Sequence, residues 1–178
     1  MRNSATVVGF ALVAMALAAI PASAQANASL IDDFERQRGN VLGMVGAMPE
    51  SGLRTAPTEG VRDFAQQIEH VVSGNVSIIA SGVDRPATGL GDADTYLNSK
   101  SALTAFVNRG FDEVKSMLEG MSDADLHADV DLFGQATVTK MKLVQTAYEH
   151  GTWTLGATVP YLRLNGAVPP GYNLIPGN

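Results

Sequence analysis

The segment from Val61 to Ile79 constrains the fold most, because its apolar residues recur at the period of an α-helix. They follow one another in steps of 3, 1, 3, 3, 1, 4 and 3 residues, at Val61, Phe64, Ala65, Ile68, Val71, Val72, Val76 and Ile79. A stripe of this kind covers one side of a helix and has to be buried against another element. The segment therefore predicts a long helix that packs against other helices.

Three further segments show apolar residues at similar intervals. The predicted helices run from Ser29 to Met48, from an N-cap at Ser99 to Gly120, and from Thr137 to Arg163. Pro49 ends the first of these helices. Pro160 lies inside the last one, where its missing amide predicts a kink.

The segments between these helices show no periodicity. Residues 81–98 contain proline and several glycines, and residues 122–133 are acidic, so both are interpreted as long connections. No segment has comparable support as a β-strand. Four amphipathic helices joined by such connections predict an all-α fold, a four-helix bundle in which each stripe is buried against its neighbours.

The N-terminal residues have the pattern of an export signal. Arg2 precedes an apolar run from Val7 to Ile20, and Ala22-Ser23-Ala24 then matches the small residues that signal peptidase requires. We predict cleavage after Ala24, with Ala26 as the alternative, which leaves residues 25–178 as one domain in the periplasm or outside the cell. The apolar run is shorter than a membrane-spanning helix, so no stable membrane anchor is expected after cleavage.

Composition excludes several classes of function. Hydrophobic residues make up 46% of the chain and charged residues 17%, which is the composition of a folded domain and not of a disordered chain. The net charge is -6 and no basic run is present, so nucleic acid is not an expected partner. Because the chain has no cysteine, a transition-metal site has to use histidine, oxygen ligands or water.

The chain has three histidines, His70, His127 and His150, and two of them lie on predicted helices. His70 points about 200° away from Ile68 around the second helix, off the apolar stripe. Judged by periodicity alone, His70 is interpreted as a solvent-exposed side chain. His150 lies at the edge of the last stripe, where a side chain can line a cleft between helices.

Several motifs together resemble the DinB-like superfamily of four-helix bundles. They are Phe64-x-x-Gln67-x-x-His70, the run from Tyr148 to Trp153, the run from Tyr161 to Gly166, and Val168-Pro169-Pro170. The resemblance covers essentially all of residues 25–178. It implies a divalent metal site of three histidines, one on helix two and two that are four residues apart on helix four. It also leaves open a small molecule and a second copy of the chain as partners.

Carried over residue by residue, the resemblance assigns His70 and His150 as metal ligands and places Thr154 at the third position. Two histidines four residues apart on a helix converge on one ion, whereas a threonine hydroxyl is a poor neutral ligand. The implied cofactor is a divalent cation such as zinc, nickel, iron or manganese. His127, Asp125 or Asp129 could replace the missing ligand from the acidic connection.

Two functions are compatible with these residues. The first is an exported DinB-like protein with a degenerate metal site, which serves as a binding or non-catalytic module. The second is a metal-dependent hydrolase or transferase that uses a metal-bound water at His70 and His150. The chain contains no nucleophile motif and no phosphate-binding loop, so the sequence leaves open whether the protein is an enzyme.

Overall fold

The computed structural model describes residues 22–83, 86 and 88–175, and helices dominate this part of the chain. In chain order the helices are α1 (Ala22–Ala47), a 3-10 turn (Glu50–Gly52), α2 (Phe64–Ala80), α3 (Ala93–Tyr96), α4 (Lys100–Glu119), α5 (Asp123–His127), α6 (Lys140–Gly156) and α7 (Val159–Leu164). The strands β1 (Asp129–Leu132) and β2 (Ala136–Thr139) lie between α5 and α6.

The four long helices α1, α2, α4 and α6 form a bundle. Helix α2 packs against α4 and α6, and α1 packs against the same two helices from the other side. The core between them consists of large side chains that are almost fully buried, namely Phe64, Phe106, Phe111, Met48, Leu53, Ile68, Ile79, Leu103, Leu118, Leu126, Leu143 and Leu155. The predicted all-α four-helix bundle is therefore confirmed.

Helix α2 begins later than the apolar stripe suggests. Asp63 forms a capping box: its carboxylate accepts a hydrogen bond from the Gln66 amide at 2.9 Å, and Gln66 Oε1 accepts one from the Asp63 amide at 3.0 Å. These bonds satisfy amides that the first helical turn leaves free. Val61 consequently lies outside the helix and is 47% exposed, so its assignment to the buried stripe was wrong.

The last predicted helix is two helices in the structure. Helix α6 begins at Lys140, capped by the Thr139 hydroxyl, and ends at Gly156, whereas α7 begins at Val159. Pro160 lies in the first turn of α7. Backbone amides in a first turn have no acceptor within the helix, so a proline there loses no helical hydrogen bond. The predicted kink inside one continuous helix was therefore wrong, because the chain breaks the helix before the proline.

The acidic connection also differs from the prediction. Ser122 caps α5, and β1 and β2 then pair as an antiparallel hairpin in which Asp129 lies opposite Thr139. The turn places Phe133 and Gly134 at positive φ angles of 53° and 71°. Residues 122–133 are thus not a structureless connection. In the other long connection, the Asp92 side chain caps the short α3.

Helix α1 begins at Ala22, seven residues before the predicted start at Ser29. The predicted signal peptide, residues 1–24, falls almost entirely outside the described residues. Within the described part of the chain, no helix has the length and apolar character needed to cross a membrane.

Candidate metal centre

The structure brings His70 and His150 together, although 80 residues separate them in the sequence. His70 lies on α2 and His150 on α6, and their Nε2 atoms are 3.3 Å apart. The ring planes are nearly perpendicular, at 83°, with centroids 4.9 Å apart. His70 is partly buried between the two helices, so the interpretation of it as a solvent-exposed side chain was wrong.

Gly74 makes room for the His150 ring. It lies one turn after His70 on α2, and a methyl group at Gly74 would stand 2.4 Å from His150 Cε1 and 2.8 Å from its Nδ1. A glycine in the middle of a helix is unfavourable by about 0.5–1 kcal/mol relative to alanine. A glycine at this position therefore indicates that another group approaches the helix backbone closely. Sequence reasoning missed this residue, although the interrupted helix pattern was a usable signal.

A buried amide network fixes the backbone next to His150. The Gln37 side chain on α1 is fully buried and donates hydrogen bonds to the Tyr148 carbonyl and the Thr152 hydroxyl, both at 2.9 Å. Asn75 on α2 donates to Gln37 Oε1 at 2.6 Å. Gly151 has no space for a side chain against these two amides. The network therefore joins α1, α2 and α6 and holds the turn of α6 that carries His150.

Burial and a nearby positive charge favour the neutral form of both imidazoles. Burial is the main cause that lowers the pKa of His70 and His150 below the ordinary histidine value, and the positive charge of Arg62 lowers both further. Glu69 partly opposes this effect at His70. The neutral imidazole is the form that binds a metal ion, so the pair is ready to ligate at neutral pH.

The separation of the two nitrogens suits a shared metal ion. A tetrahedral zinc ion binds histidine nitrogens at about 2.0–2.1 Å, which puts two such ligands about 3.3 Å apart. The observed distance between the Nε2 atoms of His70 and His150 is 3.3 Å. The pair therefore fits two ligand positions of a divalent transition metal.

The rest of the donor set does not fit a three-ligand site. Thr154 lies one turn beyond His150 on α6 and is 6% exposed, so it fills the third position with a neutral hydroxyl. Among the described residues no group of three histidine, cysteine, aspartate or glutamate side chains could hold an ion. His150 Nδ1 is buried without a hydrogen-bond partner there, whereas metal-binding histidines usually donate from the second nitrogen.

The acidic connection does not supply the missing ligand. His127 is exposed on α5, and its Nδ1 lies 2.8 Å from the Asp123 carbonyl oxygen. The Asp125 carboxylate accepts hydrogen bonds from the amide and hydroxyl of Ser122. Asp129 is an exposed residue of the hairpin. Among the described residues, none of these three side chains therefore completes a three-ligand group with His70 and His150.

A groove opens between the start of α2 and the segment that joins α6 to α7, and neither His70 nor His150 lines it. Its volume is about 880 Å³, and its lining is Pro57, Gly60, Val61, Arg62, Gln67, Ala157, Pro160 and Tyr161. Gln67 precedes His70 by one helical turn, so the groove reaches the neighbourhood of the pair. Trp153 is 83% exposed and does not line this groove.

The sequence and the fold both match known proteins. The profile of the DinB superfamily matches residues 33–152. A DinB-like protein from Bacillus cereus has a similar structure, with a TM-score of 0.66 at 16% identity, and one from Bacillus subtilis has a TM-score of 0.64 at 19% identity. Each of these comparisons covers 82% of this chain and 97% of the other. No curated protein matches the chain.

Proposed function

The chain belongs to the DinB superfamily, and we propose that it is an exported, non-catalytic member that binds a divalent transition metal through His70 and His150 alone. The observation that carries this proposal is the 3.3 Å separation of the two Nε2 atoms in a partly buried interface between α2 and α6. Two neutral imidazoles at this distance are preorganised for one ion, and the bundle core holds both helices in place.

The missing third ligand supports weak binding without catalysis. Catalytic zinc sites normally keep three protein ligands and leave one position for water or substrate. Thr154 offers a hydroxyl where the family resemblance implies an imidazole, and within the described part of the chain His150 Nδ1 has no partner that would orient the ring. An ion held by two imidazoles completes its coordination with water and exchanges readily. A hydrolase or transferase would need a further ligand from outside the described residues.

Export is part of the proposal and is supported by the position of the family match. The profile begins at residue 33, after the predicted signal peptide of residues 1–24. Cleavage after Ala24 removes only the first turn of α1 and leaves the matched region intact. The intact mass of the protein recovered from the periplasm or the medium tests this, because it should correspond to a chain that begins at Gln25 or Asn27.

The metal proposal is tested by titrating chelator-treated protein with zinc or nickel in a calorimeter. We expect about one ion per chain for the wild type, and loss of that binding in His70→Ala and in His150→Ala. His127→Ala is the matched control, because this third histidine is exposed on α5 and should leave binding unchanged. Absence of binding in the wild type, or equal loss in all three variants, contradicts the proposal. Hydrolysis of generic esters or amides that depends on both histidines would instead support the enzyme alternative.

A further inference from the structure

The groove at the start of α2 combines an apolar lining with one cationic side chain. Pro57, Val61, Ala157 and Pro160 supply apolar surface, and Tyr161 adds an aromatic ring. Arg62 and Gln67 supply polar side chains that can bind a charged or hydrogen-bonding group of a ligand. An apolar wall with one arginine is the surface that recognises a molecule with an apolar body and an anionic head.

The Arg62 guanidinium is available for such a ligand. Across residues 22–83, 86 and 88–175 it has no hydrogen bond and no ion pair. Three acids lie close to it in sequence: Asp63 binds Arg54 at 2.6 Å, Glu69 accepts a 2.6 Å hydrogen bond from Tyr96, and the exposed Glu59 forms no ion pair with Arg62 in the described part of the chain. In a chain of net charge -6, an unpaired arginine within a groove is a local positive site.

The backbone that carries Arg62 is fixed. The Tyr161 hydroxyl on α7 donates a hydrogen bond to the Arg62 carbonyl at 2.8 Å, which ties the segment before α2 to α7 across the groove. Asp63, the next residue, caps α2. Arg62 therefore extends from a rigid point, and ordering its side chain costs less than it would on a mobile loop.

We propose that this groove binds a small organic carboxylate, whose carboxylate pairs with Arg62 and whose apolar part packs on Val61, Pro160 and Tyr161. This inference deepens the proposed function, because Gln67 in the groove lies one helical turn from His70. Arg62 also contributes to lowering the pKa of both His70 and His150, so its positive charge reaches the pair.

The experiment compares benzoate with benzamide, which has the same shape but no charge. Binding to the chelator-treated protein is measured by NMR chemical-shift titration. We expect benzoate to bind at least about tenfold more tightly than benzamide, because a charge-assisted pair contributes about 1.5–3 kcal/mol. Arg62→Gln should remove this preference and Arg62→Lys should keep part of it. Arg163→Gln, which changes an arginine outside the groove, is the matched control.

The outcome separates this inference from the metal proposal. Benzoate binding without metal that depends on Arg62 supports the inference even if the histidine pair binds no ion. With zinc present, the affinity for benzoate should rise further if the pair holds the ion, and His70→Ala should abolish only that increase. Equal affinity for benzoate and benzamide, or unchanged benzoate binding in Arg62→Gln, overturns the inference.

Discussion

Asn40 and Asn173 are joined by two reciprocal hydrogen bonds, although 133 residues separate them. The Asn40 side chain on α1 donates to the Asn173 carbonyl at 3.1 Å and accepts from the Asn173 amide at 2.8 Å. One side-chain amide thus satisfies both backbone groups of a residue in the C-terminal segment. Pro170, in the same segment, lies against Gly43 on the next turn of α1.

Replacing Asn40 with alanine should loosen the C-terminal segment, which Arg36 on α1 would still hold through the Asn173 carbonyl at 3.3 Å. A net hydrogen bond contributes about 1 kcal/mol, so amide exchange at Asn173 should become at least about fivefold faster in Asn40→Ala. Hydrogen exchange followed by NMR measures this. Asn173→Ala is the control: it keeps the backbone groups that bond Asn40 and removes the side chain, whose Oδ1 accepts a hydrogen bond from the Ile175 amide at 3.1 Å. Unchanged exchange in Asn40→Ala would mean that other contacts hold the segment.

Replacing Gly74 with alanine should separate the histidines without unfolding the bundle. The added methyl group would lie 2.4 Å from His150 Cε1, so the ring has to rotate away from His70. Helix propensity favours alanine by about 1 kcal/mol, which offsets part of the strain. We expect metal binding to be lost in Gly74→Ala while circular dichroism stays helical.

The control for this prediction is Gly39→Ala or Gly46→Ala on α1, where nothing lies within 4 Å of the added methyl group. These variants should keep metal binding and have equal or greater thermal stability. Metal affinity retained at the wild-type level in Gly74→Ala would show that the two rings need not approach as closely as the structure places them.

Stability of the metal-free protein should fall as the pH drops below about 6.5. The folded state lowers the pKa of His70 and His150, chiefly by burial, so the unfolded chain binds protons at a higher pH than the folded chain does. Well above about pH 6.5 neither state is protonated at these groups, and their effect on stability is constant. Urea unfolding with chelator at pH 8 and at pH 5.5 measures the difference.

The variant with both His70→Gln and His150→Gln isolates this effect from the other titrating groups. Its stability should change less between pH 8 and pH 5.5 than that of the wild type, since neither replacement takes up a proton in this range. An equal change in both proteins would assign the acid sensitivity to other residues.

The sequence predicted the bundle because burial selects for apolar stripes, and it missed the hairpin because little of the hairpin is buried. Ile68 and Leu103 are fully buried at positions that the helical period assigns to the core. In β1, by contrast, exposed and partly buried residues alternate, in β2 two exposed residues precede two partly buried ones, and neither strand has a fully buried position. Backbone pairing and the turn at Gly134 stabilise this element, and neither produces an apolar pattern.

The candidate site was predictable only in part, for a related reason. Periodicity places His70 off the apolar stripe of its own helix. The position of a residue around one helix does not predict which residue of a distant helix packs against it. The family resemblance supplied the pairing with His150. Arg62, Gly74 and Gln37 act through contacts between elements, so no pattern within one segment identifies them.

Replacing Thr154 with histidine should restore the third ligand that the family resemblance implies. His150 and residue 154 are four residues apart on α6, a spacing at which two imidazoles converge on one ion. We expect the affinity for zinc to rise by about tenfold or more, measured by competition with a chromogenic chelator. Because Thr154 is 6% exposed, the larger side chain also disturbs packing. Thr154→Phe is therefore the control: it adds a ring without a ligand atom and should lose stability without gaining affinity. If Thr154→His binds zinc no more tightly than the wild type while remaining folded, then the side chain at position 154 does not face the His70 and His150 pair.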